Sequence, residues 1–469
     1  MIGLASRRVK LTLSSVAVLT IAAATIFLLM DRGSRGYAER SLILKASNWN
    51  EVKAYQYEKT PGLERAEKLG LARQIGQVAD IAYAGTSVRF DEVWYNSDHV
   101  YIFYSLTMDS LPKEDDQVPQ MSLQASVEGA VPDSQQPFTL NWSPWEGVYY
   151  QGRLYGRLTV SPFGKDGEPL NRVDRLVLSK IALRRGGEDV GAASAPVALD
   201  INYDAADERS EIIPLAQTYE AMNRKIELVR LEMGTSANRL FFRYGGKDTE
   251  SIYRADAVLR SDKGEAYNGS LAWPPKDGVY EMDFEPFNKR PDSIEIEWKN
   301  TFAFDRNLRF EFKLDAAKVL AEASKQKEDW RTKTSEPIDR LLNTEILLDE
   351  LFYDERGLLF SIRYAPESPT AKPYLRLFPE TPNSLSKELT GKDRDKWLQE
   401  MAEIIRVTNE NGEEGEIGQR GGGPGNTFSA FIDKAFGDRS KEITVTVSNL
   451  ITEWTIDWET FVAVPSAEE

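Results

Sequence analysis

The sequence contains no cysteine and a single histidine, His99. A disulfide framework, a lipoprotein thioether, a Cys–His nucleophile and a multi-histidine metal centre are therefore excluded. A Ser-His-Asp triad would have to use His99, and no nucleophile-elbow sequence accompanies it. His99 reads as a solvated turn residue. Basic excess is also missing: 58 Lys and Arg stand against 74 Asp and Glu, a formal net charge of -16. The phosphate term that drives nucleic-acid binding would be repulsive, so no nucleic-acid partner is expected. Carboxylate-pair hydrolysis needs only two acids and stays open as an alternative, but no pair stands out. The sequence thus names no catalytic residue and no cofactor.

Long apolar runs are scarce, with one exception. Leu11–Met30, "LTLSSVAVLTIAAATIFLLM", carries no charge over twenty positions, about 30 Å as a helix, which matches a bilayer's hydrocarbon core. Arg7, Arg8 and Lys10 precede it, so the positive-inside rule expects residues 1–10 as a cytoplasmic tail and the rest outside the cell. A cleaved signal peptide is the competing reading. Such peptides have shorter apolar regions and a small-x-small site, and "TIFLLMDRGSRGYAER" offers none, so an uncleaved anchor at 11–30 is favoured. Extracellular domains of this size without disulfides look bacterial, and more Gram-positive than animal.

Beyond the span, 469 residues suggest roughly three domains. "FDEVWYNSDHVYIFYSL" (Phe90 to Leu106) has an echo in "LDELFYDERGLLFSIRY" (Leu348 to Tyr364). Each alternates apolar residues on both sides of a polar turn, the pattern of a half-buried β-hairpin. A weaker copy runs through Ile226, Leu228, Leu240, Phe242 and Tyr244. W-x-P-x-x-G-V-Y occurs at Trp142 to Tyr149 and again at Trp273 to Tyr280. Tandem duplication explains these echoes. The expected fold class is mainly β: three tandem antiparallel β-sandwich units, immunoglobulin-like in architecture, with short helices. The expected layout is a juxtamembrane linker with a short helix at 31–74, sandwiches at 75–208, 209–316 and 338–465, and a helical linker at 317–337. A short helix is expected from Pro61, a second from Asp315 as N-cap to Trp330, and a third at "DKWLQEMAEII" inside the last sandwich.

Three segments invite functional readings. Asp200, Asn202, Asp204 and Glu211 fall at positions 1, 3, 5 and 12 of a calcium loop. Ala205 replaces the required glycine, and Val197, Leu199, Ile201 and Tyr203 alternate as a strand, so a strand end is favoured and no metal site is expected. "GQRGGGPGN" (Gly418 to Asn426) lacks the Lys-Ser/Thr and the strand-to-helix setting of a phosphate cradle, and reads as a mobile loop. Trp142 and Trp273 read as packing anchors, whereas Trp145, opposite Lys276 in the second copy, is the candidate exposed aromatic contact.

With the span, "GLERAEKLGL" and hairpins such as "SVRFDEVWYNSDHVYIFYSL", the chain resembles a family of Gram-positive single-pass membrane proteins of unknown function. The resemblance implies tandem immunoglobulin-like extracytoplasmic domains. Some members are similar to regulators encoded beside extracytoplasmic-function sigma factors, which implies a role with a membrane partner. A tail of about ten residues is too short for a folded sigma-binding domain. The functional expectation is a non-enzymatic envelope protein that binds or senses, with the membrane, an envelope protein or a wall polymer as partner; a wall hydrolase is the alternative.

Overall fold

The computed structural model describes residues 42–82, 85–111, 119–127, 137–138, 146–165, 168–185, 188–325, 330–367, 374–376, 404–423 and 426–466. The expected tail and anchor (1–30), Trp142, Trp145 and most of the helix expected at 395–405 lie outside them. Among the described residues no helix is long and apolar enough to cross a membrane. The chain divides into two compact units, Met1–Lys59 with Gly70–Ala205, and Thr60–Leu69 with Ala206–Glu469.

The first unit contains β1 (Leu42–Lys45), the helix Trp49–Lys59, β2 (Ala72–Asp80), β3 (Ser87–Tyr95), β4 (Val100–Thr107), β5 (Gln120–Val127), β6 (Pro137–Phe138), β7 (Glu146–Tyr150), β8 (Arg153–Val160), β9 (Gly164–Lys165), β10 (Glu168–Pro169), β11 (Arg172–Arg185), β12 (Glu188–Ala192) and β13 (Val197–Asp204). One sheet runs β1-β7-β8-β4-β3-β2, and a second runs β12-β11-β5-β6 with β13 also on β11. Apolar side chains from both sheets, among them Phe90, Ile102, Tyr104, Leu123, Leu176 and Leu199, share one core. Alternation supplies one apolar face per strand, and two such faces close a sandwich.

Part of the stretch expected as a linker at 31–74, Leu42–Lys45, therefore contributes to this sandwich, because β1 pairs in parallel with β7. The stretch also contains the helix Trp49–Lys59, which the sequence reading missed since its side chains are mostly polar. A capping signal was present: Asn48 Oδ1 accepts the Glu51 N–H at 3.1 Å, and the Glu51 carboxylate accepts the Ser47 N–H at 2.7 Å. The helix expected from Pro61 spans only Leu63–Lys68, and from Ala72 the chain is a strand.

In the second unit the strands are β14 (Glu211–Pro214), β15 (Thr218–Ala221), β16 (Arg224–Met233), β17 (Asn238–Gly245), β18 (Glu250–Ser261), β19 (Ala266–Asn268), β20 (Ser270–Lys276), β21 (Val279–Phe284), β22 (Ser293–Asp315), β23 (Trp330–Leu341), β24 (Thr344–Asp354), β25 (Gly357–Pro366), β26 (Tyr374–Arg376), β27 (Ile404–Asn409), β28 (Glu414–Gly415), β29 (Ile417–Gly423), β30 (Thr427–Asp433) and β31 (Glu442–Ala463). Two outer sheets, β14-β16-β17-β21-β20 and β23-β24-β25-β30-β29, each share a core with a different part of one sheet, β19-β18-β22-β31-β27-β28. β22 and β31 are 23 and 22 residues long and pair along their length. The first part of β22 and the last part of β31 face one core (Ile296, Trp298, Trp454, Ile456); their other ends face the second (Phe310, Leu314, Val445, Val447).

Residues 209–316 and 338–465 are thus not separated by a helical linker over 317–337. The helix covers Ala316–Ala323, capped by the Asp315 carboxylate on the Lys318 N–H at 2.9 Å, and β23 begins at Trp330. Polar interruptions that read as strand ends, "DRN" at 305–307 and Asn449, form a bulge. Asn449 takes a left-handed φ of 56°. Neither glycine nor proline is present there to reverse the chain, so the ladder bends and continues.

The repeated hairpin is real. Phe90 pairs Tyr104, Leu228 pairs Phe242 and Leu348 pairs Ile362, at the same sequence separation in all three. Each first member is buried, and the ladder bulges immediately after it, before Glu92, Arg230 and Glu350. W-x-P-x-x-G-V-Y is not a second equivalence. Gly147, Val148 and Tyr149 lie in β7, before the turn Gln151-Gly152, whereas Val279 and Tyr280 lie after the turn Asp277-Gly278. Both turns have two positive φ values, 47° and 74°, then 52° and 73°, as a type I′ hairpin turn requires. The turn is the shared feature, and the matching letters fall on opposite sides of it.

Candidate functional site: a buried charge cluster

A group of charged side chains built around buried carboxylates sits in the second unit, and none was singled out by the sequence. Arg224 opens β16 after the Met222-Asn223 turn, where φ values of 51° and 60° fix a tight reversal. Tyr244 comes from β17, Lys247 and Thr249 from the loop that follows, Glu250 from the start of β18, and Asp305 from the bulge of β22. The Glu250 side chain is 0% exposed, Asp305 1% and Arg224 7%.

Burial this deep makes an unpaired charge very costly, and the geometry shows how it is compensated. The Arg224 fork donates from Nη2 to Glu250 Oε1 at 2.6 Å and from Nε to Oε2 at 3.0 Å. The Tyr244 hydroxyl donates to Glu250 Oε2 at 2.8 Å. Lys247 Nζ donates to Asp305 Oδ2 at 2.9 Å and stands 3.5 Å from Glu250 Oε1. Asp305 Oδ1 accepts from the Thr249 hydroxyl at 2.9 Å and from the Asn307 N–H at 3.0 Å. The Arg224 guanidinium also lies 5.6 Å from the Trp454 ring centre.

Electrostatics follow from these contacts. Burial by itself would raise the Asp305 carboxyl, but Lys247, the Asn307 N–H and the Thr249 hydroxyl hold it below the ordinary carboxylate value. The Lys247 ammonium is raised by its hydrogen bond to Asp305. Burial, and next the Glu250 charge, push the Tyr244 phenol far up. Burial lowers Arg224, an effect outweighed by its bonds to Glu250.

Hydrolysis by two carboxylates needs one protonated acid and a free oxygen on the other to hold water. All four carboxylate oxygens of Glu250 and Asp305 are already engaged by cations or hydrogen-bond donors, and Asp305 is held ionised. What this arrangement can do is lock the 244–250 segment onto β22 at its bulge. No sequence signal could have found it, because the members are single charges at strand ends far apart in the chain.

The sequence-derived candidates are dispersed. Trp145 lies outside the described residues, and so does the side chain of Trp273. His99 closes the β3–β4 turn, where Asn96 Oδ1 accepts the Asp98 and His99 N–H groups at 2.9 and 2.7 Å; its ring stacks on Tyr101 at 5.4 Å. Asp200, Asn202 and Asp204 lie on the exposed side of β13, and Asp200 Oδ1 accepts from Arg175 Nε at 2.6 Å. Glu211 instead accepts two bonds from Arg290, at 2.9 and 3.0 Å. "GQRGGGPGN" is not a loop throughout: β29 runs to Gly423 and pairs with β30. Asn426 Nδ2 donates to the carbonyls of Tyr364 and Leu375 at 3.2 and 3.3 Å.

No family model and no curated protein matches the chain. Among solved structures, a conserved domain protein from Bacillus anthracis is similar at 12% identity and a TM-score of 0.25, covering 52% of this chain and 82% of that one. A cycloalternan-forming enzyme from Listeria monocytogenes, solved with a pentasaccharide substrate, is similar at 7% identity and a TM-score of 0.12, over 76% of this chain and 29% of that one. An uncharacterised Listeria monocytogenes protein gives the same identity and TM-score over 75% and 29%. Likenesses this slight carry no argument about fold or activity.

Proposed function

We propose that the protein is a single-pass, membrane-anchored binding or sensing protein of the Gram-positive cell envelope, non-enzymatic, whose sandwiches are immunoglobulin-like and held outside the cell. The observation that carries this reading is the uncharged run Leu11–Met30 behind Arg7, Arg8 and Lys10. Support comes from the second unit, where the buried carboxylates are engaged in holding strands together. The partner class is an envelope protein or a wall polymer. The bulged hairpin, repeated in three two-sheet cores, supports the immunoglobulin-like description.

Freedom from cysteine makes the topology directly testable. A cysteine at Ile212, an exposed position on β14, should react with a membrane-impermeant maleimide in intact cells. A cysteine at Ser6 should react only after permeabilisation. Protection of position 212 in intact cells, with normal labelling in lysate, would overturn the orientation.

A further inference from the structure

The outer face of the first unit's β1-containing sheet carries an apolar corner that the core does not use. Registered partners share a face of a sheet, so Leu44, paired with Val148, and Tyr155, paired with Val148 from the other side, lie together. Ile43 points the opposite way, into the main core. Val148 and Tyr155 are buried under Ala46 and Val52 in a separate small cluster, with Tyr55 and Tyr150 at its rim. Trp49, the first residue of its helix, sets its ring 5.3 Å from Tyr155 and 6.4 Å from Tyr150. Leu44 and Trp49 are nevertheless 55% and 41% exposed. The result is an apolar and aromatic rim that faces solvent at the start of the described chain.

We propose that this corner rests on the surface of the bilayer that holds the chain, as a second and peripheral membrane contact. The inference depends on the anchor reading for Leu11–Met30. Residues 31–41, fully extended, reach at most about 40 Å, so β1 is tethered close to the headgroups. Tryptophan and tyrosine favour that interface because an apolar ring and a polar edge are both accommodated there. The tether itself carries Arg32, Arg35 and Arg40 against Asp31 and Glu39, a small positive balance suited to anionic lipid. Leucine and tryptophan then bury apolar area in the interface, and the tether keeps their effective concentration high.

The test uses the full chain in nanodiscs of phosphatidylglycerol and phosphatidylethanolamine, with one nitroxide-labelled cysteine at a time. Positions are Leu44, the exposed β2 residue Val78, and Ala23 within the apolar run. Collision with oxygen, which partitions into lipid, is compared with collision with a water-soluble nickel complex. Oxygen should dominate at positions 23 and 44, and nickel at 78. Lipid at 23 with water at 44 would overturn the surface contact and leave the anchor standing. Water at 23 would overturn the anchor reading and the contact with it. Protection at 44 from both reagents would mean that a protein, a second copy or a partner, covers the corner, and would also overturn the proposal.

Discussion

Replacing Arg224 by methionine removes the guanidinium while keeping the length of the side chain, and it leaves the Glu250 carboxylate in a site from which water is excluded. Breaking a buried pair from one side costs about 3–5 kcal/mol. Glu250 retains the Tyr244 hydroxyl at 2.8 Å and Lys247 at 3.5 Å, so the lower end, about 3 kcal/mol, is expected. For a cooperative unit of this size that is a fall in Tm of roughly 6–12 °C. Adding Glu250→Gln to Arg224→Met removes the stranded charge and keeps an acceptor for Tyr244. The double variant should therefore be more stable than the single by about 1–2 kcal/mol. Guanidinium and thermal unfolding of the wild type, both single variants and the double variant give the complete cycle. If Glu250→Gln lowers stability further in the Arg224→Met background, the buried charge is not the source of the loss, and Arg224 does not stabilise the fold by compensating Glu250.

The hairpin equivalence predicts similar damage at three distant positions: Leu228→Ala and Leu348→Ala should each cost about 2–5 kcal/mol and Phe90→Ala about 3–5, with near-silence at any of them in denaturant unfolding counting against it. Acid sensitivity follows from Asp305, whose folded-state value is depressed. Its contribution is complete above the unfolded carboxylate value near 3.8 and is lost as pH falls through the folded value. Asp305→Asn should therefore be less stable at neutral pH and show a flatter acid limb between about pH 5 and pH 2, read from unfolding midpoints against pH. Gly357 has φ 129°, and an added Cβ would come within 2.3 Å of the Ile432 carbonyl oxygen and 2.6 Å of the Lys434 N. Gly357→Ala should thus lose about 2 kcal/mol or more, while Gly412→Ala, strained by φ +79° but with nothing within 4 Å, should lose less.

Period-two alternation in the sequence determined that the chain is β-rich, which residues of each hairpin face a core, and that one hairpin occurs three times. That information is local: a strand needs only its own pattern to choose a buried face, so Phe90, Leu228 and Leu348 could be matched before any contact was known. The Asp315 cap was legible for the same reason, since the carboxylate and the N–H it accepts are three residues apart. Only tertiary structure decided whether a polar interruption is a turn or a bulge. "DRN" at 305–307 and Asn449 fall at the same break in the ladder, and the bulge they form lets β22 and β31 run on through two cores. Tertiary structure also decided where the charges gather. Arg224, Glu250 and Asp305 come from three strands, and a charge's cost or value depends on its distance from its partners and from water, neither of which a linear spacing contains.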